Sequence, residues 1–138
     1  MPSWKSAGWS SAKRRKPWVA ARMRSALRQL DITDLQDPVG FDLAWVPAPF
    51  IPEPALRRSL TRVAAVLRPG GWLMLGHGKY GAEPAEDALN RFKTVAYGGT
   101  PLTTAEATSL LTDAGLGGTI IHAPTPPGAP AVACARKP

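Results

Sequence analysis

One histidine in this chain stands where acid–base chemistry can be done. His77 lies between Gly76 and Gly78, directly after the apolar run Trp72–Leu75. An imidazole at the end of a strand titrates near neutral pH and can take a proton as a general base. A second reading stands beside that one: a histidine in the glycine-rich stretch 76–81 that is simply exposed. His122 falls in a later apolar run without an acidic neighbour and reads as structural. Two isolated histidines assemble no Ser–His–Asp set and no metal cluster. Cys134 is the only cysteine, which excludes an internal disulfide and a thiol-rich metal site.

The elements that would position His77 run from Val39 to Gly76. Phe41–Val46 is a short apolar strand. From about Pro54 to Leu67, the apolar residues Leu56, Leu60, Val63, Ala64 and Leu67 recur at helical spacing. Arg57, Arg58, Arg62 and Arg68 fall mostly on the other face, with Arg68 in the last turn, where a cation suits the helix dipole. Pro69 stops the helix and Gly70-Gly71 give a tight reversal. Trp72–Leu75 then reads as a strand covered on both faces. Strand, crossover helix and strand make a right-handed βαβ unit in a parallel sheet. Ligands of open α/β sheets sit beyond the carboxyl ends of the strands. The apolar, proline-rich segment Trp45–Phe50 is at such an end, unless Trp45 and Phe50 are core residues.

Further along, Pro84–Tyr97 reads as a helix with Ala85, Ala88, Leu89, Phe92 and Val95 apolar. Thr103-Thr104-Ala105-Glu106 is a capping box that opens another helix, stopped at Gly115 with Leu116 as hydrophobic partner. Gly118–Ala123 and Ala131–Arg136 are two last strands. The proline-rich turn between them makes an antiparallel hairpin.

FDLAWVPAPFIPEPALRRSLTRVAAVLRPGGWLMLG, and with it Gln29–Arg136, resembles the carboxyl-terminal half of a class I S-adenosylmethionine-dependent methyltransferase. The carriers are the strand "FDLAW", the phrase Leu67-Arg68-Pro69-Gly70-Gly71, the strand "WLMLG" and the closing hairpin. The resemblance implies a three-layer α/β fold, a partial Rossmann-like sheet that is parallel with a C-terminal antiparallel hairpin. It implies S-adenosylmethionine as cofactor and methyl transfer, dominated by positioning, as the reaction. Asp31 and Ile32, in RQLDITDL, match the acidic residue and the following N–H that touch adenine in that family. Read from residues alone, Asp31 and Asp34 are equally the turn and cap residues of a loop. By the same resemblance Trp45, Val46 and Pro47 line the cofactor side, and His77 is the candidate base. The loop lacks the Asn/Asp-Pro-Pro-Tyr/Phe motif of enzymes that methylate amino groups of nucleic acid, which favours a small-molecule acceptor.

The family's glycine-rich turn, (D/E)xGxGxG, and the strands around it are absent. Phe41–Val46 is therefore expected at an unpaired sheet edge. Such edges recruit other chains, and each large side chain left uncovered forgoes about 1.5–3 kcal/mol of burial. The expectations are marginal stability and weak or no activity alone. A homo-oligomer, a partner chain completing the sheet, or residues 1–28 folding over the gap would relieve the exposure.

Charge separates those first 28 residues from the rest. The net charge is +7, yet residues 1–28 hold eight Lys/Arg and no acid, so the remainder carries −1. Basicity belongs to a Trp/Arg-rich leader and residues 29–138 form the domain. The leader has three readings: an arm that grips nucleic acid through cations and stacking tryptophans, a plain tail, or a segment that is not the native start. From Trp18 to Leu30 a short helix is expected. The leader lacks the apolar core of a secretory signal, and no apolar run approaches 18 residues. A cytoplasmic protein with no membrane partner is expected.

Overall fold

The computed structural model describes residues 26–78, 83–123, 126 and 129–138. The leader as far as residue 25 and most of the loop after Gly78 lie outside the described residues. Of the helix expected over Trp18–Leu30, the described part, 26–30, has no regular structure.

A four-stranded sheet forms the centre, with strands β1 (Phe41–Pro47), β2 (Leu67–His77), β3 (Thr119–Ala123) and β4 (Ala131–Arg136) in the order β1-β2-β4-β3. β1 and β2 pair in parallel, and β4 pairs antiparallel with both β2 and β3. The partial parallel sheet and its antiparallel hairpin are thus as the residues imply. Helix α1 (Glu53–Val66) is the crossover between β1 and β2, α2 (Pro84–Ala96) follows β2, and α3 (Thr104–Leu111) leads through one wide turn, Thr112–Leu116, into β3.

α1 buries Leu56, Ser59, Leu60, Val63 and Ala64. The apolar stripe is as its spacing predicts, and Ser59 joins it because its hydroxyl donates to Ala55 O at 2.6 Å. The helix ends at Val66, one residue before the expected limit, so Arg68 does not cap it. Lys137 does: its Nζ donates to the carbonyls of Ala64, Ala65 and Leu67 at 2.8, 3.1 and 2.6 Å, satisfying the acceptors a helix end leaves open. Arg68 instead clamps the start of β1, with Nε on Val39 O at 3.1 Å and Nη1 on both Asp42 oxygens.

Pro69-Gly70-Gly71 does not end an element as a free reversal. It lies within β2, where Asp42 of β1 faces the four residues Arg68–Gly71 between the pairs Phe41/Leu67 and Leu43/Trp72. That wide bulge lets the chain leave α1 and enter the ladder at once.

α1 and α3 cover one face of the sheet, enclosing Val46, Leu73, Leu75, Ala133, Ala135, Leu110 and Leu111. The opposite face is open among the described residues: Leu43, Trp45 and Ile121 are exposed, and Trp72, Met74 and Cys134 are half-buried. The described residues therefore make two layers rather than three, and Trp72–Leu75 is covered on one face only. α2 does not supply the missing layer; it rests mainly on the short 3-10 turn Ala48–Phe50. The α3 capping box is present in both directions, Glu106 N to Thr103 Oγ1 at 3.2 Å and Thr103 N to Glu106 Oε2 at 2.7 Å. Gly115 takes φ +87° at the stop and Leu116 is buried behind it, as the glycine-terminated pattern predicts.

Candidate functional site

The carboxyl ends of β1 and β2 lie side by side, with Val46 against Leu75 and Pro47 against Gly76. This register brings Trp45, Val46, Pro47 and His77 to one end of the sheet. Their side chains alternate across it. The Val46 side chain is buried in the core on the α1 face, so only its backbone borders the strand ends. Trp45 lies on the open face, half exposed, with its indole against Gly76: a Cβ on that glycine would come 2.5 Å from the ring. With glycine there the ring occupies the space that a side chain would take, and a larger residue would have to displace it. Phe50 is exposed rather than a core residue, and Ala48 is the buried member of its turn.

His77 ends β2 and is 1% exposed. It is neither in a loop nor at the surface, because the strand runs two residues beyond its apolar run and the α1/α3 face closes over the ring. Nδ1 lies 3.1 Å from Gly78 O. With the proton on Nδ1 donated to that carbonyl, Nε2 carries the lone pair; it is buried, and the Leu102 backbone is the other polar group beside the ring among the described residues. Burial pushes the imidazole below its ordinary value, and the Gly78 and Leu102 backbones oppose the shift in part. The ring is held neutral at pH 7, the state a general base needs. His122 is in β3, where Nε2 lies 3.2 Å from Thr108 Oγ1. That bond ties α3 to the hairpin, as a structural histidine does.

Asp31 caps a 3-10 turn, Ile32–Asp34, as in the turn-and-cap reading of that loop. Its Oδ1 accepts from Thr33 N at 2.9 Å and from Thr33 Oγ1 at 2.7 Å. These bonds, the backbone one first, hold the exposed carboxyl below the usual carboxylate range. Asp37 acts likewise on the approach to β1, accepting from Val39 N and Gly40 N at 2.9 and 3.0 Å. The cap is local: both bonds to the Asp31 carboxylate come from Thr33, within its own turn.

The site thus splits into a ready-ionised acceptor at Asp31 and a strand-end group around His77. Tested against a nucleoside cofactor, the Asp31 turn suits an amine-bearing edge such as adenine: one carboxylate oxygen is fixed by Thr33 and the residue is open to solvent. No glycine-rich turn of the form (D/E)xGxGxG lies among the described residues to meet the methionine end, and Trp45 occupies the space beside Gly76 at the strand ends. No group of three or more His, Cys, Asp or Glu could hold a metal ion among the described residues.

No protein-family model matches this chain, and no curated protein matches it. Solved structures do. Human N-acetylserotonin methyltransferase in complex with SAM superposes at a TM-score of 0.64 with 19% identity, over 87% of this chain and 37% of that one. The S-adenosylmethionine-dependent methyltransferase SibL gives 0.64 at 19% identity, over 92% and 40%. An O-methyltransferase family protein from Burkholderia thailandensis gives 0.57 at 16% identity, over 73% and 31%. The described residues have the Rossmann-like fold of class I S-adenosylmethionine-dependent methyltransferases. The chain spans about a third of the length of the first of the solved proteins it resembles, 34% and 31%.

Proposed function

We propose that this chain is a methyltransferase-like protein that takes part in methyl transfer from S-adenosylmethionine to a small-molecule acceptor. The observation that carries the reading is the sheet order β1-β2-β4-β3, with β4 antiparallel between two strands that run the other way, in a fold shared with methyltransferases. The cofactor supplies an electrophilic methyl group. Asp31 and the Ile32 backbone would border its adenine; Trp45, the Val46 backbone and Pro47 would border the side facing the acceptor. His77 would be the base that takes the acceptor's proton, a reading supported by its place at the end of β2 and by the burial that keeps the ring neutral.

Alone, the described residues lack contacts for the methionine end, so activity by itself is weak or nil. Titration of the protein with S-adenosylhomocysteine, followed through backbone amide resonances, tests this. Millimolar ligand is expected to shift Asp31, Ile32, Trp45 and Val46, with a Kd weaker than about 100 μM. No shift at those amides overturns the cofactor reading. A Kd below about 1 μM overturns the claim of weakness alone.

A second reading has one observation in its favour. β1 is an edge strand with Leu43 and Trp45 exposed beside its free backbone groups, a surface on which a partner chain can add a strand.

A further inference from the structure

α2 is turned inside out. Its half-buried residues are Asp87, Asn90, Arg91 and Thr94, at the i, i+3, i+4, i+7 spacing of one helix face. Those four are polar. Arg91 Nε donates to Asp87 Oδ2 at 2.9 Å along that face. The opposite face carries Ala85, Ala88, Leu89, Phe92 and Val95, all exposed; the last three are 50%, 71% and 61% accessible. A helix in a finished fold turns its apolar stripe inward, so this stripe marks a surface made for contact. Beyond the helix end Gly99 abuts the Pro49–Phe50 backbone, and Tyr97 and Phe50 are both exposed.

Charge indicates the occupant. Glu86 lies in the first turn of α2 and Lys93 in the last, and both are exposed. Seven residues apart, they stand two turns apart on the same flank of the stripe. Turned end for end, a second α2 places its Lys93 opposite this Glu86 and its Glu86 opposite this Lys93. Helix dipoles also oppose favourably in that arrangement. The surface is therefore self-complementary under a two-fold axis, the condition an isologous interface must meet.

We infer that α2 is a homodimer interface, in which two copies of this chain pair their Leu89–Phe92–Val95 stripes antiparallel, closed on one flank by two Glu86–Lys93 ion pairs. The inference is independent of methyl transfer. A pair of helices of this length falls at or below the low end of stable interface sizes, about 1,200 Å² in total, which fits micromolar affinity.

Sedimentation velocity on the full chain over a concentration series tests it. The wild type is expected to be dimeric by about 100 μM, and Phe92→Asp monomeric with an unchanged circular dichroism spectrum. Glu86→Lys and Lys93→Glu, each placing like charges together, are each expected to weaken the dimer about tenfold. The double variant Glu86→Lys/Lys93→Glu is expected to regain wild-type association, which general stickiness of an apolar surface cannot produce. A monomeric wild type at that concentration overturns the proposal. So does a dimer indifferent to Phe92→Asp, or single charge variants that the double does not rescue. A partner captured in place of the second copy overturns it as well.

Discussion

At the scale of single residues, His77 sets a pH signature. Its folded pKa lies below the ordinary 6.5, chiefly because the ring is buried. Below pH 6.5 the unfolded chain takes up a proton that the folded chain refuses, so stability falls as pH drops from there toward the folded value. Chemical denaturation at pH 7.5 and 5.5 is expected to show this loss, and His77→Gln to flatten it. Asp31, Asp37 and Glu106 act in a separate, more acidic window. Their folded values are lowered by hydrogen bonds, so their contribution is present above the ordinary carboxylate range and lost as pH falls through the folded values. Some of this was legible in the residues. The Thr103–Glu106 pair announced itself, because a capping box is local chemistry. His77 was found as the candidate base, but its burial was not visible, because that depends on α1 and α3 closing over one face. Asp31 was legible as the cap residue of a loop, because Thr33 offers it two donors at once and that bonding is local.

At the scale of elements, the tightest joint is between the residues after α2 and the turn after β1. A Cβ on Gly99 would fall 1.7 Å from Pro49 O, whereas one on Gly118 would meet nothing within 4 Å. Thermal denaturation should therefore find Gly99→Ala destabilised by at least the upper part of the overpacking range, about 1–3 kcal/mol, while Gly118→Ala stays within about 0.5 kcal/mol. Equal effects would mean that this joint is not closed. The α1 stripe was legible because periodicity and burial agree. The α2 stripe was equally clear as a pattern, and its orientation was not. Periodicity says which residues share a face and is silent on whether that face meets this chain or another. The β2 bulge was missed for a related reason. Pro-Gly-Gly is turn chemistry in isolation, and only pairing with Phe41–Leu43 draws it into the ladder.

At the scale of the whole molecule, the open sheet face is where solution behaviour is decided. Leu43 is exposed on the edge strand beside Trp45. Leu43→Lys is expected to reduce light scattering at high concentration while leaving unfolding stability within about 0.5 kcal/mol. A large loss of stability would show that the face is covered after all. Sheet direction and the closing hairpin could be read from strand lengths and turns, because those rules are topological. The number of layers could not, since it depends on surfaces that no single element displays. The strand order has one more consequence. β3 is synthesised before β4, yet β4 stands between it and β2. During translation β3 has no neighbour to join, and the last turn of α1 waits for Lys137 to reach its carbonyls. The sheet is therefore assembled after the fact, by insertion of a late strand into a held gap, and a chain stalled on the ribosome short of Ala131 would carry β3 without a partner.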